Sequence, residues 1–275
     1  MSLIKLPEIK ADLPVGVTFD LAPDALKKWT PEIQASSEPE NTISMYEPIG
    51  SQWDGTGVTA KRISAALRSI GKNDIVVNIN SPGGNFFEGV AIYNMLRSHQ
   101  YKVTVNVLGL AASAASVIAM SGDEILMGDG AFLMIHNSWG LSIGDRHDMA
   151  KAASMLEPFD KEMAELYSAR TGIDLVEIES MMDKETWISS KQAIEFGFAT
   201  GVLAQSAVSA NRLVGNKKAL ALVESAMAKA GYSRSSRRET LQQLFSGKPS
   251  AANNDSMPCA GEMKEINSLI QILRG

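Results

Sequence analysis

The stretch Gly109-Leu-Ala-Ala-Ser113-Ala-Ala-Ser116 consists almost entirely of small residues and joins an apolar strand pattern to an apolar helix pattern. Small side chains at such a junction leave a serine hydroxyl exposed, where a backbone N–H and the helix dipole can face an oxyanion. The same composition also lets a helix pack closely against a sheet. The stretch therefore predicts a strand-to-helix turn, and it leaves open whether Ser113 is a nucleophile or a packing residue.

Strand and helix patterns alternate on both sides of this turn. Residues 75–80 and 103–108 are apolar runs typical of buried strands, and residues 59–70 have apolar side chains at helical spacing. A long helix with a polar face is predicted over Arg146–Thr171, closed by a glycine. Helices of this length between strands indicate stacked βα units around a mainly parallel sheet. The predicted fold class is α/β.

The remaining patterns divide the chain into three parts. Residues 1–41 are rich in Pro, Glu and Ser and predict an N-terminal arm or an extended packing segment, residues 42–204 hold the α/β alternation, and residues 205–275 form a basic tail. In the tail, a helix is predicted over residues 218–230, then a Ser/Arg run and a polar linker, and a terminal amphipathic helix from Glu262. The further predicted strands are residues 42–49, 124–127 and 131–135, and the further predicted helices are residues 88–99, 114–120, 173–182 and 190–196.

Composition favours an ordinary globular protein and excludes several classes. The 275 residues are 45% hydrophobic and 21% charged, which suits one main domain with appendages. Apolar runs are interrupted before 18 residues, and the first residues lack a basic start followed by an apolar block, so we expect neither a membrane span nor an export signal. Cys259 has no partner for an internal disulfide, which favours a reducing, cytoplasmic compartment.

Charge is unevenly distributed along the chain. The net charge is −5, although residues 205–275 contain 10 Lys and Arg against 5 Asp and Glu. The body is therefore acidic, which argues against nucleic-acid binding by it. The basic tail is compatible either with contact to an acidic surface or with simple solvation.

Three histidines restrict the search for a general base. His99 closes a predicted helix and His147 lies in a charged run, so both are expected at the surface. His136 follows the apolar run 132–135, at the carboxyl end of a predicted strand, where open α/β sheets place their sites. Such a histidine can be purely structural, but beside an exposed serine it becomes a candidate base.

The turn Ser81-Pro-Gly-Gly84 also follows a predicted strand. Adjacent glycines permit positive φ and leave a bare backbone N–H pointing into a cleft, although an ordinary tight turn has the same composition. No Gly-Lys-Ser/Thr follows, which excludes a phosphate loop of the common type. No cysteine pair or histidine pair has metal-ligand spacing, so neither a metal nor a cofactor is expected.

Several of these blocks together resemble a known family. Asn80-Ser-Pro-Gly-Gly84, Gly109-Leu-Ala-Ala-Ser113 and Met134-Ile-His136 are similar in order and spacing to the signature blocks of the Clp-type (ClpP-like) serine peptidases. Gly84 and Ser113 are 29 residues apart, and Ser113 and His136 are 23 apart. The resemblance covers residues 42–204. It implies the spiral of ββα units that this family shares with crotonases, a protruding handle helix near residues 146–171, and assembly into homo-oligomeric rings.

The resemblance also implies roles for particular residues. Ser113 corresponds to the family's nucleophile and His136 to its general base. The backbone N–H groups of Gly84 and Ala114 correspond to the oxyanion hole. The substrate would then be a protein or peptide.

The third triad member is where the chain departs from the family pattern. The family has an aspartate two residues before an aromatic, whereas this chain reads Asp183-Lys-Glu185-Thr-Trp187. Direct alignment puts Glu185 at the acid position, with Asp183 as the nearby alternative. A glutamate can orient an imidazole if its backbone lies farther back.

The blocks Ile92-Tyr-Asn-Met-Leu96 and Glu185-Thr-Trp-Ile188 look closer to phage and prophage members of the family. Those members typically act as head maturation proteases that cleave capsid or scaffold proteins, so the expected location is the bacterial cytoplasm or a phage procapsid. One alternative is a host-type Clp subunit that works with an ATPase unfoldase. Others are a crotonase-like acyl-CoA enzyme and an inactive scaffold.

Overall fold

The computed structural model describes residues 6–7, 18–19, 21–52, 54–210 and 217–246. The strands are β1 (Thr18–Phe19), β2 (Ile33–Ala35), β3 (Thr42–Met45), β4 (Ile75–Ser81), β5 (Val103–Ala112), β6 (Glu124–Met127), β7 (Phe132–Ile135), β8 (Gly140–Leu141), β9 (Thr186–Ser189), β10 (Gly201–Val202) and β11 (Val208–Ala210). The helices are α1 (Pro23–Lys28), α2 (Ala60–Ile70), α3 (Phe86–Arg97), α4 (Ala114–Ala119), α5 (Arg146–Thr171), α6 (Leu175–Asp183), α7 (Ser190–Glu195), α8 (Lys217–Lys229) and α9 (Arg234–Ser246). None of these helices has the length and apolar character that a membrane span requires.

Within these ranges seven strands form the main sheet. Its order is β10-β6-β5-β4-β3, and β7 pairs with the second half of β5 and with β9. The pairs are parallel except β7 with β9, which is antiparallel. Parallel neighbours need crossover connections, and helices of the predicted lengths provide them. The α/β prediction and its mainly parallel sheet are confirmed.

Local signals fix the ends of the longer helices. Thr59 caps α2 by accepting from the backbone N–H of Arg62, and α5 begins with a capping box between Asp145 and Asp148. Gly172 ends α5 in the left-handed conformation, with φ 76°. Both helices agree with the periodicity and the stop glycines in the sequence.

The sheet is buried on both faces, as the strand β5 illustrates. Ala111 belongs to the main hydrophobic core, which also contains side chains of the helices α2 to α7. Leu110 and Ala112 point to the opposite face and pack in a second cluster with Trp29 and residues of α1 and α8. Trp29 is fully buried, and its indole N–H donates to the carbonyl of Asn80 at 3.0 Å.

The observed elements differ from the sequence pattern at both ends of the chain. The N-terminal segment contains the short helix α1, which the sequence pattern did not indicate and which packs on the sheet. The helix α9 covers part of the expected polar run, because the Ser233 hydroxyl accepts from the N–H of Ser236 and the side chains of Arg237 and Leu241 are buried. Cys259 and the helix predicted from Glu262 lie outside the described residues.

Candidate active site

The serine junction is a sharp turn between β5 and α4. Ser113 lies between them with φ 54° and ψ −127°, and Glu185 is the other non-glycine residue of the described ranges with positive φ. This region of backbone conformation costs on the order of 1–3 kcal/mol, and it persists only where surrounding contacts hold it. The N–H of Ser113 donates to the carbonyl of Met134 on β7 at 2.9 Å. The turn therefore presents the Ser113 side chain beside the end of the neighbouring strand.

Ser113 and His136 meet in the structure. Ala112 is paired with Met134, so the two side chains project from the same edge of the sheet, just past the carboxyl ends of parallel strands. The Oγ of Ser113 is 2.8 Å from the Nε2 of His136. His136 is buried, and this burial lowers the pKa of its imidazole to about 4. The ring is therefore neutral at neutral pH, which is the form that accepts a proton from a hydroxyl.

The glycine turn packs directly against the serine junction. A Cβ at Gly83 would lie 2.7 Å from the Cβ of Ser113 and 2.5 Å from the carbonyl oxygen of Ala112. The next residue, Gly84, has φ 142°, and a Cβ there would lie 2.3 Å from the carbonyl oxygen of Ile49. Side chains are thus excluded from both positions by contact as well as by conformation.

The backbone pairing leaves both predicted oxyanion donors outside the local ladder and helix. The N–H of Ile49 donates to the carbonyl of Gly83, and the N–H of Asn85 donates to the carbonyl of Ile49, at 2.8 and 2.9 Å. In such a parallel bridge the N–H of the intervening residue, Gly84, points away from Ile49. Ala114 is the first residue of α4, so its N–H has no acceptor within the helix. The glycine turn thus packs beside Ala114, and the role of the Gly84 and Ala114 N–H groups as oxyanion donors stays a prediction.

The two candidate acids adjoin residues that neighbour the histidine. The antiparallel pairing of β7 with β9 ends at Ile135 opposite Thr186, and Glu185 immediately precedes Thr186 with a positive φ of 50°. Asp183 lies at the end of α6, and its carboxylate accepts from the side-chain amide of Asn137 at 2.7 Å. Among the described residues, neither carboxylate hydrogen-bonds the imidazole, so the structure does not complete the triad.

Two contacts that the sequence did not reveal hold the segment after His136. Asn137 is held by Asp183, and Ser138 donates through its N–H and its hydroxyl to the carboxylate of Asp160 on α5 at 2.5 and 2.6 Å. Burial raises the pKa of Asp160, and the two Ser138 hydrogen bonds oppose that shift. These side chains come from helices distant in sequence, so no local motif could have identified them.

The other histidines and the second serine of the opening stretch are located away from this cleft. The His99 ring hydrogen-bonds the carbonyl of Asn73, and His147 is exposed at the start of α5. Ser116 is completely buried in the turn of α4 behind Ser113. The positions of the two histidines agree with the surface location expected for them.

Segments from both ends of the chain flank the site. Thr18 and Phe19 pair with Leu141 and Gly140, on the strand that follows His136. Leu21 then lines a small cavity together with Gly84 and with residues of α8 and α9. A larger cavity of about 360 Å³ lies elsewhere, beside Trp187 and Leu108 on the face of the second cluster. Elements outside residues 42–204 thus lie beside residues of the glycine turn and of the segment after His136.

Comparisons with known proteins match the middle of the chain. The family model described as Clp protease matches residues 38–206. The "ATP-dependent Clp protease proteolytic subunit 3" of Rhodococcus jostii is 32% identical over 139 residues, which is 50% of this chain and 68% of that protein. A proteolytic subunit of the same description from Pleurastrum terricola is 31% identical over 134 residues, covering 48% and 68%.

A solved structure has the same fold. A ClpP1 mutant from Listeria monocytogenes aligns with a TM-score of 0.50 and 22% identity, over 60% of this chain and 91% of that one. The alignment covers nearly the whole of the smaller chain, so the predicted spiral architecture is confirmed for the corresponding part of this one.

Proposed function

Because the chain belongs to the Clp protease family, we propose that it is a serine endopeptidase in which Ser113 is the nucleophile and His136 the general base. The observation that carries this proposal is the 2.8 Å contact between Ser113 Oγ and His136 Nε2. The contact is made at a strained junction, next to two backbone N–H groups and with a neutral imidazole. These are the parts that acyl transfer to a serine requires.

The reaction follows from this geometry. His136 takes the Ser113 proton as Oγ attacks the carbonyl carbon of the scissile peptide bond, and the N–H groups of Gly84 and Ala114 receive the oxyanion. The protonated imidazole then gives its proton to the leaving amine, which leaves an ester on Ser113. A water molecule, activated by the same imidazole, hydrolyses that ester and restores the serine.

Glu185 is our proposed acid for the triad. It immediately precedes Thr186, the residue that pairs with Ile135 just before His136, and we propose that a change of its side-chain rotamer brings the carboxylate to the imidazole Nδ1. There it would accept the Nδ1–H and stabilise the imidazolium that forms during attack. Asp183 already binds Asn137, and its role would be to hold the segment after His136.

The activity is tested with an internally quenched peptide library and three proteins. Wild type should release fluorescence, and Ser113→Ala should lose at least about 10³-fold. Ser121→Ala is the matched control, because Ser121 is a buried serine of the same region whose hydroxyl donates to the local backbone carbonyl of Ile118. Activity retained in Ser113→Ala would overturn the assignment, and so would an equal loss in the control.

For the substrate class we propose capsid or scaffold proteins of a phage head. This proposal is supported by the Ile92–Leu96 and Glu185–Ile188 sequences, and by the additional basic segment 205–275, which suits tethering to an acidic assembly. Residues 1–41, 42–204 and 205–275 would then act as arm, peptidase domain and tether, with rings formed through α5, in the host cytoplasm or the procapsid. Incubation with the capsid protein encoded nearest to it should give Ser113-dependent fragments, whereas an uncut capsid protein would contradict this substrate.

A subunit that works with an ATPase unfoldase is the second candidate. It is favoured by the curated relatives, whose descriptions read ATP-dependent. The two candidates differ in a simple measurement. Degradation of a stably folded protein only when an unfoldase and ATP are added would favour this candidate, and cleavage of capsid protein without ATP would favour the first.

A further inference from the structure

A chain of buried hydroxyl groups lies directly behind the proposed nucleophile. The hydroxyl of Ser116 donates to the carbonyl oxygen of Ser113 at 2.6 Å, and its Oγ is 2.8 Å from the hydroxyl of Tyr167 on α5. Ser116 is 0% exposed and Tyr167 is 1% exposed. The three groups therefore form a sequence of contacts from the long helix α5 to the backbone of the serine junction.

The direction of these hydrogen bonds is fixed by proton counting. A serine hydroxyl has one proton, and that of Ser116 is used on the Ser113 carbonyl. The Tyr167 hydroxyl must therefore donate to the Oγ of Ser116. Burial raises the pKa of Tyr167, so it keeps the proton that this bond requires. Aligned hydroxyls of this kind polarise one another, which strengthens the final bond to the carbonyl.

The carbonyl that receives this bond belongs to the strained residue. Besides the Ser116 hydroxyl, it accepts from the backbone N–H groups of Ser116 and Val117 at 2.8 and 3.3 Å. These bonds fix the peptide plane that follows Ser113, and hence the ψ angle that directs its side chain to His136. The N–H of Ala114 belongs to the same peptide plane.

The same helix also holds the histidine side of the site. Asp160 is seven residues before Tyr167, which places both side chains on one face of α5, two turns apart. Asp160 binds Ser138 two residues after His136, while Tyr167 reaches the serine junction through Ser116. One face of α5 thus holds Ser138 directly through Asp160 and the Ser113 carbonyl indirectly through Tyr167 and Ser116.

We propose that Tyr167 and Ser116 are positioning residues for catalysis, which act by holding the peptide plane between Ser113 and Ala114. The inference rests on the proposed peptidase activity. Neither residue touches the substrate, so both should influence kcat far more than KM. Their contributions should also be coupled, because Tyr167 acts only through Ser116.

The test uses variants that remove single hydroxyls. Tyr167→Phe should lower kcat about 3- to 10-fold, and Ser116→Ala should lower it by at least as much, with KM unchanged within about 2-fold. The double variant should be no slower than Ser116→Ala. Ser121→Ala removes the same type of hydroxyl bond to a carbonyl three residues earlier, to Ile118, and should leave kcat unchanged.

A second readout separates positioning from folding. The second-order rate constant of Ser113 labelling by a fluorophosphonate should fall by the same factor as kcat. Circular dichroism gives the folded fraction of each variant, and the rate constant is expressed per folded molecule. Equal labelling and kcat in Tyr167→Phe and wild type would overturn the positioning role while leaving the peptidase intact. Independent, multiplicative effects of the two substitutions would overturn it too. Absence of labelling in wild type would instead refute the proposed function itself.

Discussion

Two strand ends meet in the candidate site, and they achieve unusual backbone conformations by opposite means. The turn after β4 uses Gly83 and Gly84, with φ of 87° and 142°, where no side chain fits. The junction after β5 uses Ser113, with φ 54°, although a serine there is strained. The turn needs only a backbone N–H, so glycine removes the strain. The junction must present a hydroxyl, so its strain remains and is opposed by contacts from β7, α4 and α5.

Adding a side chain to the turn should have the largest effect. Gly84→Ala places a Cβ 2.3 Å from the carbonyl oxygen of Ile49 and forces the N–H from its position. Loss of one oxyanion donor lowers kcat by about 10²–10³-fold. Gly71→Ala is the control, because Gly71 also has positive φ, at 72°, but nothing lies near its missing Cβ. A Gly84→Ala variant with near wild-type kcat would remove Gly84 from the oxyanion hole.

Two isosteric substitutions identify which carboxylate is the third member of the triad. Glu185→Gln should lower kcat by at least about 10-fold, because the imidazolium formed during attack loses its carboxylate partner. Asp183→Asn should have a smaller effect, since an amide can still hold Asn137. The opposite order would transfer the role to Asp183. Steady-state kinetics on the same quenched peptide measures both.

The buried imidazole predicts a particular pH dependence. His136 must be neutral to act as a base, and burial lowers its pKa from 6.5 to about 4. In Glu185→Gln, which lacks the carboxylate proposed to stabilise the imidazolium, the acid limb of kcat/KM should therefore lie near pH 4, with activity lost as the pH falls through that value. In wild type that carboxylate should move the limb to a higher pH, and a limb at or above pH 6 in Glu185→Gln would contradict the effect of burial.

The lowered pKa of His136 also makes the free energy of unfolding depend on pH. The folded state binds the imidazole proton less readily than the unfolded state. The contribution of His136 to stability is therefore complete above pH 6.5 and is lost as the pH falls towards 4. Wild type should consequently lose more stability between about pH 7 and about pH 4.5 than His136→Gln, which has no titrating ring. Urea unfolding at the two pH values gives the comparison.

The smallest expected effect is a difference in stability between two substitutions of Ser113. Ser113→Gly relieves the backbone strain of the positive φ, whereas Ser113→Ala keeps the Cβ that causes it. The glycine variant should therefore be more stable by roughly 1 kcal/mol, although both variants are inactive. The same pair at Ser121, where φ is not positive, should show the opposite order. A less stable Ser113→Gly would mean that the junction stores no strain.

Sequence reasoning found the parts of the site that are local. The Gly83-Gly84 turn, the small residues around Ser113 and the position of His136 after a buried strand are each visible within a few residues. The helix α5 was predicted with its closing glycine because its cap and periodicity are also local. These features identify the family and most of its proposed chemistry.

What the sequence could not supply depends on contacts between distant segments. Tyr167 meets Ser116 across 51 residues, and Asp160 meets Ser138 across 22. The same limit explains why α1 and its neighbour Trp29 were expected in an arm, since their burial depends on packing against β4, β5 and α8. The triad acid remained ambiguous because Asp183 and Glu185 are only two residues apart in the sequence. The contacts of their carboxylates in the folded protein are what distinguish them.

Covalent labelling by a fluorophosphonate, mapped by peptide mass spectrometry, is the decisive experiment for the Ser113–His136 pair. We expect one adduct per chain, on Ser113, formed by wild type and lost in His136→Ala. An adduct on another serine, or peptide hydrolysis that proceeds while Ser113 stays unmodified, would contradict it.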